Sequence, residues 1–239
     1  MEGDDFVARW VQVHPNDEHI IVSGDSDFVQ LLAPNVSIFD GVQERILTIN
    51  GVINAKGEVM EFLIAPASGK IKVGIVNPDF DAEPEWWKKA LFVKLIRGDA
   101  SDGIFSAYPG VRYKGSAKRE GIEEAWADRF ERGYHWNNFF QQEWDKLIGT
   151  EHETGEPLIK RVRVLDEYRI NESLIDLTAQ PQMIKDTLDQ AIAEAITKPV
   201  VSSVGIHFIK FCGVNDLPAL AKESADHAVY LNQGYPKEN

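Results

Sequence analysis

His19-Ile20-Ile21-Val22-Ser23-Gly24-Asp25-Ser26-Asp27-Phe28 (HIIVSGDSDF, residues 19–28) is the stretch that decides the fold class. Its apolar run is short, rich in β-branched residues and bounded by turn residues. That pattern predicts a buried strand over His19–Ser23 rather than a helix. A strand of this kind belongs to an α/β sheet with helices on its faces. In open α/β sheets ligands bind just beyond the carboxyl ends of the strands. Asp25 and Asp27 therefore stand where a site belongs.

Working outward, residues 4–13 show amphipathic helix spacing through Phe6, Val7, Trp10 and Val11, ended by His14-Pro15-Asn16. After the strand, residues 27–33 suggest a short helix and VSIFDG a second strand. Residues 42–75 alternate apolar runs with turn residues and read as a hairpin excursion. Asp81 is placed as the N-cap of a helix with Pro84 in its first turn and WWKKALFVKLIR as its body, and Gly98 as its C-cap. Beyond residue 105 the pattern turns helical. Ser116 is expected to cap a helix running to Gly133, WNNFFQQEWDKLIG to form another, and Pro181 to open a third through Thr197. PVVSSVGIHFIKFCG and DLPALAKES read as two short final helices. Residues 149–157 are the best linker, and the tail NQGYPKEN is expected to fray. The expected organisation is thus α/β, with a mostly parallel sheet flanked by helices over residues 1–105 and a helical subdomain over 106–239.

The chain has 239 residues and a net charge of −13. A general nucleic-acid binder usually carries a basic face. Here, however, acids gather in short clusters and bases near residues 112–119 and 160–169, as expected of acids in a cleft with bases on a rim. No apolar run is long enough to span a membrane, and the acidic start is unlike a signal peptide. The single cysteine, Cys212, excludes an internal disulfide, fits a reducing cytoplasm and reads as a core residue. Phe139, Phe140 and Trp144 have helix-core spacing. One of Trp86 and Trp87 reads as core and the other as partly exposed. His207, in an apolar helix, reads as structural. Lys160, Arg161 and Arg163 read as a solvated helix face or, less simply, a second nucleic-acid contact.

Three acidic clusters stand out: E-G-D-D at 2–5, G-D-S-D at 24–27 and G-D-A-S-D at 98–102. Any one of them fits an ordinary turn or helix cap, and Glu2, Asp4 and Asp5 also suit a helix dipole. Together they can converge on one sheet edge. Two bare carboxylates about 4 Å apart repel by roughly 4 kcal/mol at an effective dielectric of 20, so such a group requires cations. All-oxygen ligands suit Mg²⁺ or Mn²⁺ rather than zinc. Two such ions can clamp the attacking and leaving oxygens of a phosphodiester and lower the pKa of a bound water. No P-loop sequence is present.

E-G-D-D, then S-G-D-S-D-F-V-Q-L-L, then L-I-R-G-D-A-S-D-G-I resemble the ordered acidic motifs of the 5′ nuclease (flap endonuclease) superfamily. The likeness is to its phage ribonuclease H branch and extends to EYRINESLIDLTAQPQMI. The resemblance implies a PIN-like domain that hydrolyses RNA primers and 5′ flaps on DNA during phage replication, with two Mg²⁺ ions that Mn²⁺ can replace. It implies that Glu2 and Asp4 belong to the first metal site and that Asp25 lies between the ions. Asp27, Asp99 and Asp102 would hold the second ion, while Asp5 is either a ligand or a solvated first-turn acid. Implied partners are RNA/DNA hybrids, 5′-flap or forked DNA, a single-stranded-DNA-binding protein and a sliding clamp.

Two departures from the family qualify this. An earlier strand with a metal-binding aspartate, and the basic arch after it, precede E-G-D-D in the family and are not in this sequence. A separately encoded N-terminal fragment is therefore an implied partner, and an unpaired sheet edge with exposed apolar surface is expected. The family's glycine-rich helix-hairpin-helix is reduced here to Pro109–Ser116. That turn leaves Arg112, Lys114, Ser116, Lys118 and Arg119 as duplex contacts or as an ordinary solvated turn. The alternatives to an enzyme are a catalytically incomplete module binding DNA junctions, and an acidic metal-binding domain unrelated to nucleic acid.

Overall fold

The structure, a computed structural model, describes residues 2–151, 155–197 and 203–233. Part of the expected linker and of the tail, and the start of the PVVSSVG segment, lie outside the described residues. The first strand forms where the sequence predicts it, but as an edge strand rather than a buried one: Ile21 is buried, whereas Ile20 and Val22 are exposed. Helix α1 (Gly3–Val13) leads to β1 (His19–Val22), a single 3-10 helix follows (Ser26–Leu31), and β2 (Val36–Asp40) pairs parallel to β1. Next come β3 (Arg45–Thr48), β4 (Gly51–Asn54), β5 (Val59–Ile64) and β6 (Ile71–Val76), each antiparallel to the strand before it.

The result is a six-stranded mixed sheet in the order β1-β2-β3-β4-β5-β6, not the mostly parallel sheet expected. The reason is connection length. From β2 onward the links run from two to six residues, and parallel pairing needs a crossover of roughly a dozen. Only the segment between β1 and β2, which holds the 3-10 helix, is long enough.

Register sorts the side chains into two rows. Ile21, Ile38, Leu47 and Val52 stand opposite one another on successive strands and are buried. They form one core with Ala8 of α1, Phe28, Val29 and Leu31 of the 3-10 helix, and Trp86 and Ala90 of the next helix. Burying each such large apolar side chain stabilises by about 1.5–3 kcal/mol. The alternate positions, Val22, Phe39, Ile46 and Ile53, lie in register on the other face, where Val22 is 72% exposed.

Helix α2 (Trp86–Arg97) starts four residues later than an Asp81 cap would place it, with Glu85 in the left-handed conformation at its N-cap (φ 58°). Trp86 is buried and Trp87 half-buried. Gly98 ends the helix as expected, with φ 75°. The far side of α2, through Phe92, Val93 and Ile96, packs with Tyr108, Ile122, Ala125, Trp126, Phe139, Phe140 and Val164 in a second core. Residues on both sides of position 105 thus share one core, and the first compact unit runs Met1–Asp189.

Two expected helices shrink. Ser116 caps nothing: it exchanges backbone hydrogen bonds with Arg119 in a tight turn, and α3 is only Ile122–Ala127, starting after Gly121. Helix α4 (Tyr134–Phe140) stops where its expected continuation becomes β7 (Glu143–Thr150), paired antiparallel with β8 (Pro157–Arg163). The cross-strand partners account for this. Arg161 bonds Glu143 and Asp145 at 3.3 and 3.0 Å, and Trp144 donates its indole N–H to the Ala107 carbonyl at 3.0 Å. Lys160, Arg161 and Arg163 therefore lie on a strand, not a helix face. Helix α5 (Val164–Ile175) completes this part, and α6 (Gln182–Ile196) follows Pro181 as expected.

In the second unit, Gln190–Asn239, the elements among the described residues are helices. Within it α7 (Val204–Val214) packs with α8 (Pro218–Lys222) and α9 (Ser224–Gln233), the last not anticipated. Cys212 is buried, as its apolar context indicates, and His207 is exposed.

Candidate metal centre

Each acidic cluster is placed by a different element. Glu2 precedes α1, and Asp4 and Asp5 lie in its first turn, where the helix dipole favours negative charge. Asp25 and Asp27 follow β1. Asp25 caps the 3-10 helix, its Oδ1 accepting the Asp27 N–H at 2.9 Å. Asp99 and Asp102 sit on the tight turn after α2. That turn closes through reciprocal backbone bonds between Asp99 and Ile104, at 2.9 and 2.8 Å. It also needs Gly98, because a Cβ there would meet the Ile104 carbonyl oxygen at 2.4 Å. Asn171 of α5 fastens both sides of the turn, donating to the Leu95 and Phe105 carbonyls at 2.8 and 2.9 Å.

The three clusters converge. Glu2, Asp4, Asp5, Asp27 and Asp102 line one cavity of about 460 Å³ with Lys94, Ile104, Leu174, Ile175 and Leu177. Asp27, Asp99 and Asp102 each offer a carboxylate oxygen, all within 4.8 Å of one another. That donor set suits a hard divalent cation with oxygen ligands. Asp25 stands apart, on a neighbouring cavity of about 30 Å³ with Ser23, Gly24, Asp40 and Arg45. Asp5 is engaged in holding the local structure: its carboxylate accepts the Glu2 N–H at 2.9 Å and the Gln180 side-chain amide.

Lys94 is the residue the sequence did not single out. It lies on the buried length of α2 and is largely enclosed. Its ammonium is 2.5 Å from Asp27 Oδ1 and 2.8 Å from Asp99 Oδ2. Burial alone would lower the Lys94 pKa, but the bonds and charges of Asp27 and Asp99 outweigh this and raise it. For Asp99, burial works upward, yet the hydrogen bonds from Lys94 and Ser101 hold its carboxyl far below the usual carboxylate range. A lysine flanked on both sides by apolar residues in LFVKLI was the available signal. The apolar wall of Leu174, Ile175 and Leu177 was also missed. It is tied to the 3-10 helix by Gln30, which donates to the Ile175 carbonyl at 3.2 Å and accepts the Leu177 N–H at 2.9 Å.

The basic turn forms a separate feature. Arg112, Lys114, Ser116, Lys118 and Arg119 are all exposed. Arg112, Ser116 and Arg119 line a cavity of about 280 Å³ with Tyr108, Pro109, Gly110, Val111 and Glu120. Lys114 lies 3.5 Å from Glu123, and Lys118 lines no part of this cavity. Glu124 pins the loop, its carboxylate accepting the Gly115 and Gly121 N–H groups at 2.9 and 2.7 Å. Arg97 of α2 reaches the Val111 carbonyl at 2.8 Å and so sets the loop's start.

No helix among the described residues is long and apolar enough to cross a membrane. No protein-family model matches the sequence, and no curated protein is significantly similar to it.

Proposed function

We propose that the chain is a Mg²⁺-dependent phosphodiesterase of the 5′ nuclease type, with a PIN-like domain, acting on RNA/DNA hybrids and on 5′-flap or forked DNA in phage replication. One observation carries the reading: acids from three stretches, the first and last about a hundred residues apart, line or adjoin a single cavity at the carboxyl end of β1. Asp27, Asp99 and Asp102 would hold Mg²⁺ or Mn²⁺, which acts as a Lewis acid on the phosphodiester. Glu2 and Asp4 face the same cavity and would serve a further ion. The exposed Arg112, Ser116 and Arg119 suit phosphate contacts that position a duplex.

The test is cleavage of labelled 5′-flap DNA and of an RNA/DNA hybrid with and without Mg²⁺, by the chain alone and with an N-terminal 5′ nuclease segment supplied separately. Asp27→Asn and Asp102→Asn should each lower the cleavage rate by roughly 100-fold or more, the scale of losing an electrostatic stabiliser of the transition state. Binding should survive both substitutions. Wild-type protein that cuts neither substrate under either condition would overturn the enzyme reading.

A second reading, a binding module for forked DNA without cleavage, is favoured by the surroundings of Asp25 and Lys94. Asp25 is used as a cap, and Lys94 already neutralises part of the acid group. It predicts salt-sensitive binding that Arg119→Glu weakens and Asp27→Asn does not.

A further inference from the structure

Among the described residues, Lys94 is the single cation lining the acid cavity, with five acids there. Its ammonium donates to one oxygen of Asp27 and one of Asp99, at 2.5 and 2.8 Å. The other oxygen of Asp99 is also engaged, accepting the Ser101 N–H at 3.0 Å and the Ser101 hydroxyl. Only Asp27 Oδ2 and the exposed Asp102 are left with no such claim. A divalent ion shared by the three aspartates can use Asp27 Oδ2 and Asp102, but at Asp99 it meets an oxygen already held by Lys94 or by Ser101, and everywhere in the cluster it lies a few ångströms from the ammonium.

Nor can Lys94 move aside freely. The β5–β6 turn lies directly on its backbone: a Cβ on Gly69 would come within 2.4 Å of the Ala90 carbonyl oxygen, 2.9 Å of Lys94 N and 3.2 Å of Lys94 Cβ. That turn fixes the Lys94 backbone and Cβ, and the side chain is only 11% exposed, so displacing the ammonium takes a rotation of its outer methylenes within the cavity. The ammonium is thus a built-in cation that satisfies the cluster's mutual repulsion when no ion is bound.

We propose that Lys94 is an internal counter-ion that competes with a divalent cation for Asp27 and Asp99, and so weakens and gates ion binding at this position. The inference rests on the metal-binding reading of the acid cluster. Its physical basis is Coulombic. A unit charge a few ångströms from a divalent ion disfavours that ion by several-fold at least, even with strong screening. Removing the charge also leaves the acids of the empty site repelling one another, which favours ion entry further.

The test is Mn²⁺ binding to the full chain without nucleic acid, followed by the electron-spin signal of free Mn²⁺. Lys94→Met should bind Mn²⁺ roughly tenfold more tightly or better than wild type, whereas Lys94→Arg, which keeps the charge, should not. The ion-free Lys94→Met protein should also melt at a lower temperature and regain more of the loss on adding Mn²⁺. Wild-type binding that is equalled or weakened in Lys94→Met overturns the competition while leaving the metal reading intact. No binding by any of the three proteins overturns both. If Lys94→Met does not fold, the wild type still decides. With ¹³C-labelled lysine, assigned by loss of one signal in Lys94→Arg, saturating Mg²⁺ should shift the Lys94 Cε resonance as the ammonium is displaced. Saturation without that shift overturns the proposal.

Discussion

Asp25 and Asp27 are two residues apart and have different surroundings. One caps a 3-10 turn in the open, and the other is half-buried against a lysine. Sequence spacing alone treats them as a pair, because the difference arises from α2, which is distant in the chain. Glu124 shows the same dependence on context in a residue that no motif marked. Burial would raise its pKa, but the Gly115 and Gly121 amides outweigh that and lower it. A carboxyl lowered on folding stabilises the fold above its unfolded pKa of about 4.3, and that contribution fades as pH falls through the folded value. Glu124→Ala should cost about 2 kcal/mol in urea unfolding at pH 7, the scale of hydrogen bonds to a charged group. The gap between wild type and Glu124→Gln should be constant from pH 8 to about pH 5 and narrow below it. A gap that widens in acid would contradict the assignment.

Among elements, those set by local signals were legible. The α1 helix, the β1 strand, the 3-10 turn, β2 and the glycine stop after α2 form as their residues indicate. What the sequence could not show was pairing. Short turns make the strands after β2 antiparallel, and β7 forms because β8 offers cross-strand partners for a segment whose aromatic spacing equally suits a helix. The site was legible as acids on strand and helix ends. Their bridging by Lys94 was not, because it depends on α2 packing beneath the β5–β6 turn. Glycines that enable such packing provide a test. Gly57 and Gly98 both have positive φ, 79° and 75°, but a Cβ on Gly57 meets nothing within 4 Å, whereas one on Gly98 strikes backbone at 2.4 Å. Gly57→Ala should cost about 1 kcal/mol from backbone strain alone. Gly98→Ala should cost about 3 kcal/mol or more and disturb the Asp99–Asp102 turn. Equal losses in chemical denaturation would mean that the close approach at Gly98 does not matter.

For the first unit as a whole, the two sheet edges differ in a way that predicts behaviour in solution. The β6 edge carries Lys72, a charge of the kind that blunts edge pairing. The β1 edge carries no such charge. The His19 and Ser23 amides donate toward β2, to the Asn35 and Phe39 carbonyls at 2.8 and 3.0 Å. Alternation therefore aims the Ile20 and Val22 amides at the open side. The side chains of Ile20 and Val22 are 70% and 72% exposed, and Val22 continues in register into Phe39, Ile46 and Ile53 on the same face. An apolar, uncharged, unpaired edge is a template for another strand. The protein should therefore associate in a concentration-dependent way in size-exclusion chromatography with light scattering. The double substitution Ile20→Lys with Val22→Lys should shift it toward the monomer at the same concentration. Because both side chains point away from the Ile21–Ile38–Leu47–Val52 row, melting should change little, by about 0.5 kcal/mol in either direction. Association unchanged in the double variant would place the contact elsewhere. A large loss of stability would mean that the outer face of β1 is covered within the chain.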